Sequence, residues 1–165
     1  MKRISVEEGS PPKRPRLESG DDNLFDETRR KNATDLLDPA TDETGNLEAT
    51  VCMVFPCIGA GRQLNLEMHE HGDNYRFLVF IASEVDNLHP FPFRVGSRIC
   101  LSLKGAQIRG RAQSSAPCYL PVALTFKDGI AIKLMSGPEA GKVFNTWEGN
   151  LLILCHFHRS NLPLT

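Results

Sequence analysis

The 165-residue sequence has no apolar run near the ~20 residues that a membrane-spanning helix needs. Its N-terminus has no hydrophobic centre of the kind a secretory signal carries. Paired cysteines are missing too. The five cysteines, an odd number, stand at Cys52, Cys57, Cys100, Cys118 and Cys155 without any short paired spacing. That argues against a disulfide framework and fits reduced thiols in an intracellular compartment, where the Asn32-Ala33-Thr34 sequon is fortuitous. A strong charge of either sign is also absent, the formal net charge being −1.

Signatures of catalysis are lacking as well. Gly137 to Lys142 superficially resembles a phosphate loop but is one residue short between its glycines. Val143 stands where Ser or Thr must meet magnesium, and Pro138 removes a phosphate-facing N–H. His69-x-His71 and His156-x-His158 offer imidazoles, yet no cysteine pair with ligand spacing joins them, and they read as turn and tail histidines. No nucleophile elbow, metal-helix motif or dinucleotide fingerprint occurs. The scattered Asp and Glu sit almost wholly in the tail or in turns. The expectation is a protein that is not an enzyme, with no cofactor, no metal, no small-molecule substrate and no membrane partner.

What is present divides sharply. Residues 1–48 carry eight Lys/Arg against twelve Asp/Glu, a net of −4, and the remainder carries eleven against eight, a net of +3. Residues 1–47 hold a single aromatic, Phe25, and are rich in Pro, Glu, Asp, Ser and Lys. Such a segment buries too little apolar surface to offset the entropy of ordering it, so a disordered N-terminal tail is expected. Within it, Pro11-Pro12-Lys13-Arg14-Pro15-Arg16 is a compact basic cluster, with Lys13, Arg14 and Arg16 read as a nuclear import signal. Ser10-Pro11 borders the cluster, where a phosphate would oppose its charge. The following acidic stretch reads as a spacer, or as an arm laid over a basic face.

From residue 48 the pattern is β. Ile99, Leu101 and Leu103 alternate with Arg98, Cys100, Ser102 and Lys104, as a strand with one buried face requires. Ala49–Phe55, Gln63–Met68 and Tyr75–Ala82 read as strands, and Val122–Phe126 and Ile130–Leu134 as two more joined in a hairpin at Asp128-Gly129. Between them, Gly105 to Pro117 reads as a mobile loop, and Val143–Trp147 as a short last strand. The expected fold is all-β: a five-stranded Greek-key OB-fold barrel over 48–147, with 148–165 unplaced.

The 2–3 face and flanking loops of an OB barrel grip oligonucleotides, cations following the phosphates and rings stacking on bases. Candidates for nucleic-acid binding are Arg62, Arg76, Phe80, Arg98, Lys104, Arg109, Arg111, Tyr119 and Lys133. Gly96 to Ala106, Leu120-Pro121-Val122 to Asp128-Gly129-Ile130, Gly141-Lys142-Val143 and Thr146-Trp147 resemble the first OB domain of fungal protection-of-telomeres proteins. That resemblance covers roughly residues 47–147. It implies a nuclear, telomeric protein that binds the single-stranded G-rich overhang, with other telomere-complex proteins as further partners. The alternative is an OB-fold protein-interaction module without DNA binding, which the modest charge and sparse aromatics favour.

Overall fold

A computed structural model of the chain describes residues 24–38, 40–41, 44–55, 59, 61–85, 93–112, 116 and 118–147. The import-like cluster at Lys13, Arg14 and Arg16, Ser10, and the segment 148–165 lie outside the described residues. The fold is mostly β, an eight-stranded mixed sheet that is not closed into a barrel. In chain order the elements are α1 (Ala33–Leu37), β1 (Asn46–Phe55), β2 (Gly61–Glu70), β3 (Asp73–Ala82), β4 (Arg98–Ser102), β5 (Ala106–Gly110), β6 (Tyr119–Phe126), β7 (Ala131–Leu134) and β8 (Val143–Asn145). Across the sheet they run β5-β6-β3-β2-β1-β4-β7-β8.

β1 governs the curvature. Its first half, Asn46–Thr50, pairs antiparallel with β4, and its second half, Thr50–Phe55, pairs antiparallel with β2. A bulge between Val51 and Met53 bends it where the partners change, and the extra residue of a bulge sharpens local twist. β2 and β3 form a hairpin through His71-Gly72, both with positive φ, the backbone that matches strand twist in a tight hairpin. β3 pairs with β6 in parallel and β6 with β5 antiparallel. Inward residues of every strand meet in one core, from Leu47 and Val51 through Leu64, Leu66, Phe77, Val79 and Ile81 to Leu124, Phe126 and Ile132.

The sheet departs from the expected five-stranded Greek-key barrel in three places. First, β4 is flanked on one side by β1 and on the other by β7, so it has no free edge with which to seal the sheet onto β6. Second, the Gly105–Pro117 loop contains β5, which pairs with β6 from Ala106 to Gly110. Third, Asp128-Gly129 does not close a hairpin: β6 and β7 lie far apart in the sheet, and β7 pairs with β4 and β8. The reason stands at Trp147. A Cβ added to Gly129 would lie 2.5 Å from its ring, and one added to Gly105 would lie 2.4 Å from it. Both glycines therefore serve close approach to the indole, at the corner where β6 departs and where β4 gives way to β5.

Disorder over 1–47 is also corrected for residues 24–38. Glu27–Arg29 form a 3-10 turn capped by Asp26, and Asn32 and Asp35 make a reciprocal capping box on α1. The backbone N–H of Ala33 donates to Glu70 Oε1 at 2.8 Å. Ala33 and Leu36 are buried and join the core cluster. Low overall hydropathy hid a short apolar anchor, with one strong leucine among the carboxylates.

Candidate nucleic-acid interface

The outward parity of the sheet builds rows of side chains across β1, β2, β3 and β6. One row runs Thr50, Glu67, Arg76, Tyr119; the next Met53, Asn65, Leu78, Ala123; the third Phe55, Gln63, Phe80, Thr125. β5 extends the last two, with Arg109 opposite Ala123 and Gln107 opposite Thr125. Arg111 follows directly, its backbone N–H donating to Pro121 O at 2.7 Å. Residues directly opposite on one face lie within side-chain contact, so these rows form one surface.

Its aromatic and apolar parts are unevenly open, Leu78 and Ala123 of the middle row being buried. Phe80 is 37% exposed and Met53 46%, with Phe55 and Tyr119 half-buried beside them. Arg109 and Arg111 are exposed at the β5 margin, Arg109 donating to Gln107 Oε1 at 2.9 Å. Arg76 differs. Its Nε donates to Glu67 Oε2 at 2.7 Å. That hydrogen bond, followed by the carboxylate's charge, pushes the guanidinium still further up, with a smaller contribution from a hydrogen bond to Tyr119. Tyr119 in turn accepts from Asn65 Nδ2 at 3.4 Å. Glu67, Arg76, Tyr119 and Asn65 are thus a connected polar chain across three strands, and Arg76 holds that chain in place. Burial, then the Glu67 carboxylate, pushes the neighbouring Cys52 thiol up.

The remaining candidates are elsewhere. Arg62 is buried on the inward parity of β2 with Leu64, Leu66 and Met68, contrary to the loop position expected for it. Arg98 is paired with Glu48, which also binds Arg30 at 3.0 Å. Lys104 lies over the Trp147 ring, its Nζ 5.0 Å from the centroid. Lys133 is half-buried on β7 opposite Cys100. The expected set therefore divides. Phe80, Tyr119, Arg109, Arg111 and Arg76 share the face, while Arg62, Arg98, Lys104 and Lys133 belong to the core and to the opposite flank. Phe55, Met53, Asn65, Gln63 and Gln107 are members the sequence reading missed. Asn65 left a trace, since the Leu64, Leu66, Met68 alternation places it outward.

Among the described residues no cluster of His, Cys, Asp and Glu could hold a metal ion. No helix of the described residues is long and apolar enough to cross a membrane. A cleft of about 350 Å³ lies between the N-terminal arm and the sheet, lined by Arg30, Lys31, Asn32, Glu48, Met68, His69 and Glu70. No curated protein matches the chain. Residues 27–142, from the 3-10 turn to the residue before β8, match the family described as a domain of unknown function, DUF8502, and the chain belongs to that family.

Proposed function

We propose that this chain is a non-enzymatic nuclear module that binds single-stranded DNA across the outer face of β1, β2, β3, β6 and β5. The G-rich strand of chromosome ends is the ligand that its resemblance to protection-of-telomeres proteins implies. One observation carries the reading: the aromatics Phe55, Phe80 and Tyr119 share a face with Arg109 and Arg111 on its margin. Rings on such a face stack bases at roughly 1–3 kcal/mol each, and cations at the rim neutralise phosphates.

The wiring supports the finer fold assignment. Parallel β3 and β6, β1 antiparallel to both β2 and β4, and a bent run Arg98–Gly110 reaching from β1 to β6 are the connections of an OB fold. We read this as an OB arrangement opened at Leu103–Gly105, with β7 and β8 added on the β4 edge. Its 2–3 face is then the surface just described.

The test is fluorescence anisotropy of the full chain with a G-rich telomeric single strand, a scrambled single strand and a duplex at two salt concentrations. Salt-sensitive binding to single strands, weakened in Phe80→Ala and Tyr119→Ala, is the expected result. Absence of binding to all three strands refutes it. A second reading, a protein-interaction face, is favoured by the exposed Met53 and Phe80 with half-buried Phe55 beside them and by the pairing of Arg76 with Glu67. Salt-insensitive capture of an extended peptide distinguishes that reading.

A further inference from the structure

Asn65 stands at the centre of the outer face, between Met53 on β1 and Leu78 on β3. It is only 8% exposed, and its Oδ1 has no hydrogen-bond partner. Buried amide oxygens are nearly always paired, and an orphan at a surface otherwise built for contact asks for a ligand. Its Nδ2 is committed to the Tyr119 hydroxyl at 3.4 Å. That bond uses one of the carboxamide's two N–H donors and leaves its oxygen without a partner.

Resting on the reading of this face as a single-strand site, we propose that Asn65 reads guanine there. A carboxamide oxygen has two lone pairs and accepts only from donors. Guanine alone among the DNA bases presents adjacent donors, N1–H and N2–H, on its pairing edge, and a single strand leaves that edge free. Tyr119 stacks the incoming base with its hydroxyl still on Asn65 Nδ2, and the oxygen, closed to solvent in the free chain, accepts from that base's edge. Glu67 and Arg76 anchor the Tyr119 side of the site.

The experiment uses the full chain and thymidine oligonucleotides carrying one central guanine, one central inosine or neither. Inosine lacks the N2 amino group and retains N1–H. Wild type should bind the guanine strand roughly tenfold more tightly than the inosine strand. Asn65→Leu should bind the guanine and inosine strands alike. Asn65→Ser, whose hydroxyl is too short to reach the base, is read alongside in case the leucine variant does not fold. Equal affinity of wild type for guanine and inosine overturns the inference while leaving single-strand binding intact, as does discrimination that survives both substitutions. Failure of wild type to bind any of these strands overturns the function proposed for the face, and the Asn65 assignment with it.

Discussion

Glycine at 105 and 129 is fixed by one neighbour. The Trp147 ring sits so close to both that any side chain there must displace it. Gly105 carries a second demand, a φ of +71°, which costs an L-residue about 1 kcal/mol. Gly129→Ala should lower stability by about 1–3 kcal/mol through overpacking, and Gly105→Ala by about 1 kcal/mol more. Urea unfolding followed by the fluorescence of this single tryptophan measures both. Coupling to the ring has its own signature: in a Trp147→Ala background, where unfolding is followed by circular dichroism because no tryptophan remains, the Gly129→Ala cost should largely vanish. Lys104, Gly105 and Gly129 thus meet around the Trp147 ring at this corner.

Cys100 gives a pH signature at the same scale. It is buried and its Sγ donates to Asn46 Oδ1 at 3.3 Å. Burial above all pushes the thiol up to about 11 from an ordinary 9.0. A folded pKa above the unfolded one means stability that is complete below about pH 9 and lost as pH rises through 11. Denaturant midpoints taken from pH 8 to 11 should fall in wild type and fall less in Cys100→Ala. A parallel decline in both would assign the alkaline loss to other groups.

Among the elements, the N-terminal arm is the one that hydropathy could not find. Strict alternation over Arg98–Lys104 put Cys100 and Ser102 on the solvent side, and the register agrees, but both are buried. The arm accounts for this. Its Arg30 bridges to Asn46, and Asn46 Nδ2 donates to Asp26 O at 2.7 Å, over the outer side of β1 and β4. Alternation reports which side of a strand a residue takes, whereas what covers that side depends on residues some seventy positions away. The hairpin signal at Asp128-Gly129 misled for a related reason, since a glycine required by a ring looks like a glycine required by a turn. β5 was hidden by its short, mixed sequence Ala-Gln-Ile-Arg-Gly, in which pairing with β6 supplies what propensity lacks.

If the arm is integral, small changes within it should destabilise the whole sheet. Leu36 is 1% exposed, and Leu36→Ala should cost about 2–5 kcal/mol. Asn32→Ala, which removes half of the capping box, should cost about 1 kcal/mol. A single cooperative transition moved by both substitutions is the expected outcome of urea titration. Unchanged midpoints would mean that the arm docks without contributing to the fold.

At the scale of the molecule, the charges that the sequence presents as one basic set are partitioned by their partners. Arg98 is committed to Glu48 and Lys104 to the Trp147 ring, whereas Arg109 and Arg111 stand exposed beside the aromatic face. Only the second pair is placed to release counterions from a strand crossing that face. Each phosphate contact adds about 0.7 to the salt slope for a single strand, so Arg109→Gln with Arg111→Gln should flatten the slope by about 1.4. Arg98→Gln with Lys104→Gln should leave the slope unchanged and lower stability instead. Sequence alone does not separate Arg98 and Lys104 from Arg109 and Arg111, all four being candidates of one basic set. Measured slopes for the two double variants decide which pair the strand meets. A slope flattened by Arg98 and Lys104 rather than by Arg109 and Arg111 would move the binding path to the β4 flank and off the aromatic face.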